Sequence, residues 1–392
     1  MRKLTVLLCI LVVSILFGCS KEQQSDDYTD LIYSCNSYQD LIQKVYEFEL
    51  KNPLHFDSKL VLAKDAIAEK NYNLAWQYLR HGENIVLSKK NNVSEKKISS
   101  LYFLLAELSF ISNEHDMAAD FVEKALATNI DAEDDNLYLI GHIFLAQGKQ
   151  EESISAFEKA FENSVKATDS DYLAYMYALS QANRFQEIPV LLEAYTEKFP
   201  WFLGFGSFAS SVYEQLQDIP RSLIYSYLDF DYASGFQQTD YEEQYQNLCD
   251  VEATFNDEQL LQQVKPTLEL LKGLCKKTTV ICDKDALPAG FGSKYLYLKN
   301  LSSQKLMTNH DFTELLSIEQ FFSSFPAYYL LLWDSARQLF PQSFVEFIPA
   351  LKKTIALNPD GFYADLARKE VSMLLDRTDH MEDISLFNSI LF

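Results

Sequence analysis

Apolar residues recur at every third or fourth position along most of the chain, in runs long enough for helices and separated by short polar breaks. Within residues 134–164, Ile140 and Phe144 share one helical face, the pattern stops at Gly148, and it resumes towards Phe157. This spacing is typical of amphipathic helices, and a glycine at the break favours the end of a helix. The pattern predicts pairs of helices joined by turns, and therefore an all-α fold.

Two series of mostly small residues repeat at intervals of 35, 35 and 34 positions: Ala106, Gly141, Met176 and Ser210, then Ala118, Ser153, Ile188 and Ser222. A repeat of this length is typical of stacked helical hairpins. Where two antiparallel helices cross closely, only small side chains fit between them. We therefore predict that Gly141 faces Ser153 at such a crossing, where the packing of larger neighbours offsets the cost of a glycine within a helix.

The repeating unit resembles the tetratricopeptide repeat, which places a small and an aromatic residue in its first helix, glycine at the turn, and small, aromatic and alanine residues in its second. The matching positions are Gly141, Phe144, Gly148, Ser153, Phe157 and Ala160. The resemblance implies an α-solenoid of antiparallel hairpins over residues 35–235, with a looser copy that begins near Phe56. Met176 and Pro189 depart from the pattern.

Beyond residue 235 the repeat is lost, and residues 236–310 are predicted to form an irregular joint. They collect residues that end or bend helices, namely Pro266, Pro288, Gly290 and Gly292. Residues 311–392 return to an amphipathic pattern and are predicted to form a less regular C-terminal helical segment with one degenerate repeat. Pro349 is expected to kink the second helix of that repeat.

The N-terminus has the features of an export signal, because a short basic start precedes an apolar run that ends at Phe17 and is too short to cross a bilayer comfortably. Residues 16–19, Leu-Phe-Gly-Cys, resemble the lipobox of bacterial lipoproteins. The resemblance implies a signal peptide over residues 1–18, a lipidated Cys19, and a location facing the periplasm on the inner or the outer membrane. Residues 19–34 begin with a polar stretch and are predicted to be a flexible tether.

Four cysteines would remain after export and lipidation, namely Cys35, Cys249, Cys275 and Cys282. Cys275 and Cys282 enclose a short loop, so a disulfide between them is favoured in an exported protein, with buried thiols as the alternative. A zinc site is disfavoured, because this pair has no neighbouring histidine and its spacing exceeds the usual one.

The charge balance excludes nucleic acid as a partner. The chain has 34 Lys and Arg against 56 Asp and Glu, a formal net charge of −22, and lacks the basic runs that neutralise phosphates. Motifs of phosphate-binding loops, nucleophile elbows and zinc hydrolases are also missing from the sequence. We therefore expect no enzyme activity, cofactor or metal, with a catalytic region in residues 236–392 as a third alternative for function.

In stacked hairpins of this family the first helices line the concave side, so their outward positions are the candidate binding residues. These positions are Phe103, Glu107, Phe110, Tyr138, His142, Leu145, Leu173, Tyr177 and Ser180. The groove is predicted to be aromatic and nearly uncharged, which favours apolar partner side chains or flat ligands. The alternative is that these residues are core, covered by closure of the superhelix or by the C-terminal segment, with His142 as a structural histidine.

Together these features favour a membrane-anchored protein–protein interaction scaffold of the bacterial envelope, which holds an envelope protein or peptide in the groove. The second interpretation is a ligand-binding module associated with a solute transporter or with glycan capture. The sequence leaves the partner, the membrane, the cysteine pairing and the oligomeric state open.

Overall fold

A computed structural model of the chain describes residues 25–88, 93–128, 134–162, 167–236 and 240–375. These ranges contain nineteen α-helices, four short 3-10 helices and no strand, so the prediction of an all-α fold is confirmed. The first nine are α1 Ser25–Tyr33, α2 Tyr38–Lys51, α3 Phe56–Ala68, α4 Tyr72–Leu87, α5 Glu95–Ile111, α6 His115–Leu126, α7 Asp134–Ala146, α8 Gln150–Phe161 and α9 Asp169–Gln181. The others are α10 Ile188–Lys198, α11 Phe205–Gln215, α12 Ile219–Ala233, α13 Tyr241–Thr254, α14 Glu258–Lys276, α15 Phe291–Ser303, α16 Asn309–Ser317, α17 Pro326–Leu339, α18 Ile348–Leu357 and α19 Phe362–Leu375.

The chain divides into two compact units, Met1–Ala182 and Asn183–Phe392. In the first unit α3 packs on α4, α5 on α6 and α7 on α8, and α9 then packs on α7 and α8. In the second unit the most extensive pairings are α11 with α12, α17 with α18, α13 with α14, and α18 with α19. Antiparallel hairpins are thus the building block of both units. The division falls inside the predicted array of residues 35–235.

The crossing of α7 and α8 confirms the reason for a glycine within a helix. Ser153 is fully buried, and its hydroxyl donates a hydrogen bond of 2.8 Å to the carbonyl oxygen of Gly141. A Cβ atom at Gly141 would lie 2.7–2.9 Å from three ring atoms of Phe157. The equivalent small pair in the second unit, Ser210 and Ser222, also meets, with 2.9 Å between the hydroxyl oxygens.

The turns between paired helices share one backbone motif. Asn113, Gly148 and Gln217 have φ angles of 59°, 71° and 59°, which is the left-handed region. The amide after each one donates back to a carbonyl of the preceding helix, as Lys149 does to Phe144 over 2.9 Å. This satisfies the last carbonyl groups of the first helix and ends it. Gly148 is therefore the stop signal predicted for it.

The N-terminal part differs from the prediction of a flexible tether over residues 19–34, since Ser25–Tyr33 form helix α1. Tyr28 is only 2% exposed, and its ring packs 5.0 Å from that of Phe48 and 4.4 Å from that of His55. Burial of this aromatic ring holds α1 against the body. The proposed signal peptide and Cys19 lie outside the described residues, and none of the helices in the described ranges is long and apolar enough to span a bilayer.

Residues 236–310 were predicted to be an irregular joint, and this was wrong for most of their length, because they hold α13, α14 and α15. Pro266 lies inside α14, where the buried Leu268 and Leu271 face the core; burial of this face outweighs the local preference against proline. Pro349 occupies the first turn of α18 and begins that helix without kinking it, since the first turn needs no amide donor.

The predicted disulfide between Cys275 and Cys282 is not formed, because both residues are free thiols, as are Cys35 and Cys249. Cys275 is buried in the last turn of α14, and burial raises the pKa of its thiol to about 11. Cys282 follows in the loop, and its sulfur lies 3.7 Å from the carbonyl oxygen of Asp283. The Cys275 side chain is therefore buried at the end of α14, whereas the Cys282 side chain lies half-buried in the loop that follows.

A fully buried carboxylate connects several helices of the second unit. Asp231 of α12 is fully buried, and its carboxylate accepts hydrogen bonds from Lys299 Nζ at 2.6 Å and from the hydroxyls of Tyr295 and Tyr363 at 2.9 Å each. The Tyr363 hydroxyl donates its one proton to Asp231. The hydroxyl of Tyr241, 3.1 Å away, therefore donates to the hydroxyl oxygen of Tyr363. The network joins α12, α13, α15 and α19 and satisfies the buried charge.

Candidate partner-binding surface

The first helices of successive hairpins are neighbours in the first unit, since α3 contacts α5, α5 contacts α7, and α7 contacts α9. Lys64, Glu107, His142 and Tyr177 occupy the same position on these four helices, at intervals of 43, 35 and 35 residues. We call these four residues the polar column. Lys64 and Tyr177 are exposed, whereas Glu107 and His142 are half-buried.

Two of the predicted groove residues are core residues. Phe103 is 4% exposed and belongs to the apolar core of the first unit. Tyr138 is 6% exposed; its hydroxyl donates to the carbonyl oxygen of Ala160 over 3.2 Å, and its ring stands edge-on to Phe161. The prediction that these two line a groove is wrong, because packing of adjacent helices covers them. The alternative of core burial holds at these positions.

The other predicted residues reach the surface to different degrees. Phe110, Leu145, Leu173 and Ser180 are half-buried, and Tyr177 is 52% exposed. The aromatic character of the predicted groove is thus reduced to Tyr177 and part of Phe110.

His142 connects three of the first helices. Its Nε2 lies 2.8 Å from Oδ1 of Asp171 on α9, and its ring lies 6.2 Å from that of Phe110 on α5. The ring also stands edge-on to Phe157 of its own hairpin, at 5.4 Å. These contacts fix the orientation of the imidazole between its neighbours. A structural role for His142, the alternative considered from the sequence, accounts for them.

Asp171 was not among the residues predicted from the sequence. Its Oδ1 contacts His142, and its second oxygen, Oδ2, fixes the carboxylate to the start of α9. Oδ2 accepts hydrogen bonds from the amide and the hydroxyl of Thr168, at 2.8 and 2.7 Å, and so caps the start of α9. Burial acts to raise the pKa of Asp171, but hydrogen bonds from His142 and Thr168 outweigh it and lower the pKa. The spacing of Thr168 and Asp171 is that of a capping box and was the available signal.

Glu107 differs from the other half-buried acids of this surface, because its carboxylate makes no hydrogen bond or ion pair with any residue that the structure describes. Burial raises the pKa of Glu107, and the positive charge of Lys64 on α3 acts to lower it. Lys64 was also missed, since the polar insertion of residues 88–97 lengthens the interval from it to Glu107.

Comparison with known protein families identifies the central hairpin. Residues 135–164, which cover most of α7 and α8, match the family model of the tetratricopeptide repeat. The chain contains a tetratricopeptide repeat. No match was found among the curated proteins.

The tetratricopeptide repeat contributes His142 to the polar column, and the neighbouring helices α5 and α9 contribute Glu107 and Tyr177. Proteins with such repeats generally bind protein partners. Within the described ranges, no three His, Cys, Asp or Glu residues are grouped so that they could hold a metal ion. The chemistry that this surface offers a ligand is therefore ion pairing, hydrogen bonding and contact with Phe110, Leu173 and Tyr177.

Proposed function

We propose that the protein is a membrane-anchored protein–protein interaction scaffold of the bacterial cell envelope and that a partner binds along the polar column. The presence of a tetratricopeptide repeat supports the binding role in general. The particular surface is supported by the half-exposed Tyr177. A tyrosine at an interface can bury its ring and still hydrogen-bond through its hydroxyl, and such residues often dominate binding energy.

Replacement of Tyr177 by alanine is expected to weaken binding of the partner by about tenfold or more, because the aromatic contact area is lost. The partner would be recovered from detergent-solubilised envelopes with the full-length protein, and its affinity would then be measured by titration. Tyr33→Ala is a matched control, since Tyr33 is a tyrosine of the same unit that is 68% exposed at the end of α1. Equal affinities of the two variants would contradict binding at the polar column.

The proposed anchor is a lipid on Cys19, supported by the sequence Leu-Phe-Gly-Cys over residues 16–19. Two or more acyl chains give stable attachment to a bilayer, whereas one gives marginal binding. Ser25, where α1 starts, follows Cys19 by six positions, so the folded first unit would begin within about 22 Å of the anchor. The protein would then present the polar column to partners at or near the membrane.

The Cys19→Ala variant is expected to lose incorporation of an alkyne-labelled fatty acid and to move from the membrane fraction to the soluble fraction. Cys35→Ala serves as the control, because Cys35 is half-buried after α1 and is not part of the lipobox. Metabolic labelling followed by fractionation measures both effects. Retention of label and membrane association in Cys19→Ala would reject the anchor without affecting the proposed binding surface.

A further inference from the structure

The acidic residues of the first unit provide a comparison for Glu107. Among the acids of the first unit whose side-chain burial the structure describes, those that are buried or half-buried besides Glu107 are Asp40, Glu49, Asp57, Asp65, Glu83 and Asp171. Each of these six accepts a hydrogen bond from a side chain: from Lys44, Lys59, Lys97, Tyr38, Arg80 and His142, respectively. Buried or half-buried charges are normally paired in this way, so a single unpaired member requires an explanation.

Glu107 is the unpaired member. It stands in the polar column on α5, its charge is disfavoured by partial burial, and exposed Lys64, whose charge acts to lower its pKa, forms no ion pair with it. The negative charge therefore costs free energy in the isolated protein, which a cation placed against it would recover.

Apolar surface next to this carboxylate suits the stem of a long basic side chain. Phe110 follows Glu107 by one helical turn and is half-buried, and Ile111 on the same side is 41% exposed. Lysine and arginine pack their methylene groups along such surfaces while the charged end stays polar, and an aromatic face adds attraction for the cation. The acidity of the whole chain, with net charge −22, also favours the approach of a basic segment.

We infer that the partner segment bound at the polar column carries a lysine or arginine whose charged end pairs with the Glu107 carboxylate, while its stem packs on Phe110 and Ile111. This inference rests on the proposed function, since it names the chemistry of the partner at the same surface. An acidic chain terminus would meet the negative charge of Glu107 and is disfavoured here. The positive charge of exposed Lys64, which acts on Glu107 without pairing with it, would repel the partner's cation.

The test places a photo-crosslinking amino acid, p-benzoylphenylalanine, at Ile111 in the full-length protein in its own membranes. Adducts are digested and identified by mass spectrometry. We expect the crosslinked partner peptides to contain lysine or arginine close to the attachment point. In the Glu107→Gln background the yield should fall by about tenfold, because one partner of a charge pair is removed. In the Lys64→Gln background the yield should rise, because repulsion between the Lys64 charge and the partner's cation is removed.

Glu152→Gln is the matched control for charge, since Glu152 is an exposed acid in the first turn of α8. It should leave the yield unchanged. Glu107→Gln should also keep or slightly raise the melting temperature at neutral pH, because it removes a half-buried unpaired charge; a loss of yield then reflects binding and not unfolding.

The inference fails if the adducts form equally well in the Glu107→Gln background, or if the attached peptides are acidic or uncharged. Either result leaves the proposed scaffold role standing with a different partner chemistry. The yield of adducts from Ile111 tests the scaffold role itself, and the same crosslinker at Tyr33 gives the background yield. If the yield from Ile111 does not exceed this background, no partner binds at the polar column, and both proposals are rejected.

Discussion

Replacement of Asp231 by asparagine is expected to lower the free energy of unfolding of the second unit by about 3 kcal/mol or more. The carboxylate accepts hydrogen bonds from Lys299, Tyr295 and Tyr363, and an amide would turn one donor group towards these donors. Burial acts to lower the pKa of Lys299, but the charge of Asp231, the hydrogen bond to it and the smaller effects of Tyr241 and Cys275 together raise the pKa. The variant therefore leaves a charged lysine without its main partner. Urea unfolding followed by hydrogen exchange in α15 and α19 measures the loss.

Asp250→Asn is the control for this prediction, because Asp250 is an exposed acid on α13 of the same unit and should change stability by less than about 0.5 kcal/mol. The double variant Asp231→Leu with Lys299→Met should recover much of the lost stability, since it removes both charges and leaves no unpaired one. If Asp231→Asn unfolds at the same urea concentration as the unaltered protein, the network does not stabilise the unit.

Replacement of Gly141 by alanine is expected to lower the free energy of unfolding of the first unit by about 2 kcal/mol. Alanine favours a helix over glycine by about 1 kcal/mol, but overpacking of a rigid core costs up to about 3 kcal/mol. The added Cβ would lie 2.7–2.9 Å from ring atoms of Phe157, which is itself fully buried and cannot withdraw. Thermal and urea unfolding of the first unit measure the change.

Gly82→Ala is a matched control on α4, because its Cβ would meet the end of the Leu101 side chain at 3.2 Å and a ring atom of Phe56 at 3.7 Å, which is an ordinary contact. That variant should be neutral or stabilising by up to about 1 kcal/mol. In the double variant Gly141→Ala with Phe157→Leu, the clash is relieved, so the two changes should be strongly non-additive. Equal stability of the Gly141→Ala and Gly82→Ala variants would show that the crossing of α7 and α8 does not require glycine.

Local features of the fold could be predicted because they depend on residues close together in the chain. Apolar spacing identified the hairpins, and the same pattern required a small residue at Gly141 and a stop at Gly148, as the structure confirms. Prediction failed where burial by another helix decided the outcome. Phe103 and Tyr138 occupy outward positions of their own helices, but neighbouring helices cover them, and Tyr28 draws α1 into a segment that otherwise looks like a tether.

The candidate site was predictable only in part for the same reason. The interval of 35 residues places Glu107, His142 and Tyr177 at one position of the repeat, and this much is contained in the sequence. The pairing of His142 with Asp171 and the absence of a partner for Glu107 in the described residues depend on distances between separate helices. No spacing along the chain distinguishes a half-buried acid that finds a partner from one that does not.

The all-α class, the hairpin repeat and the small residues at its crossings follow from the amino-acid pattern alone, because periodicity and close packing act within one hairpin. The three-dimensional fold brings Asp231 to Lys299 and Tyr363, which lie 68 and 132 residues away along the chain. It also decided which side chains of the first helices remain exposed. Burial and charge pairing are properties of the neighbours that folding brings together, and these neighbours are distant in the chain.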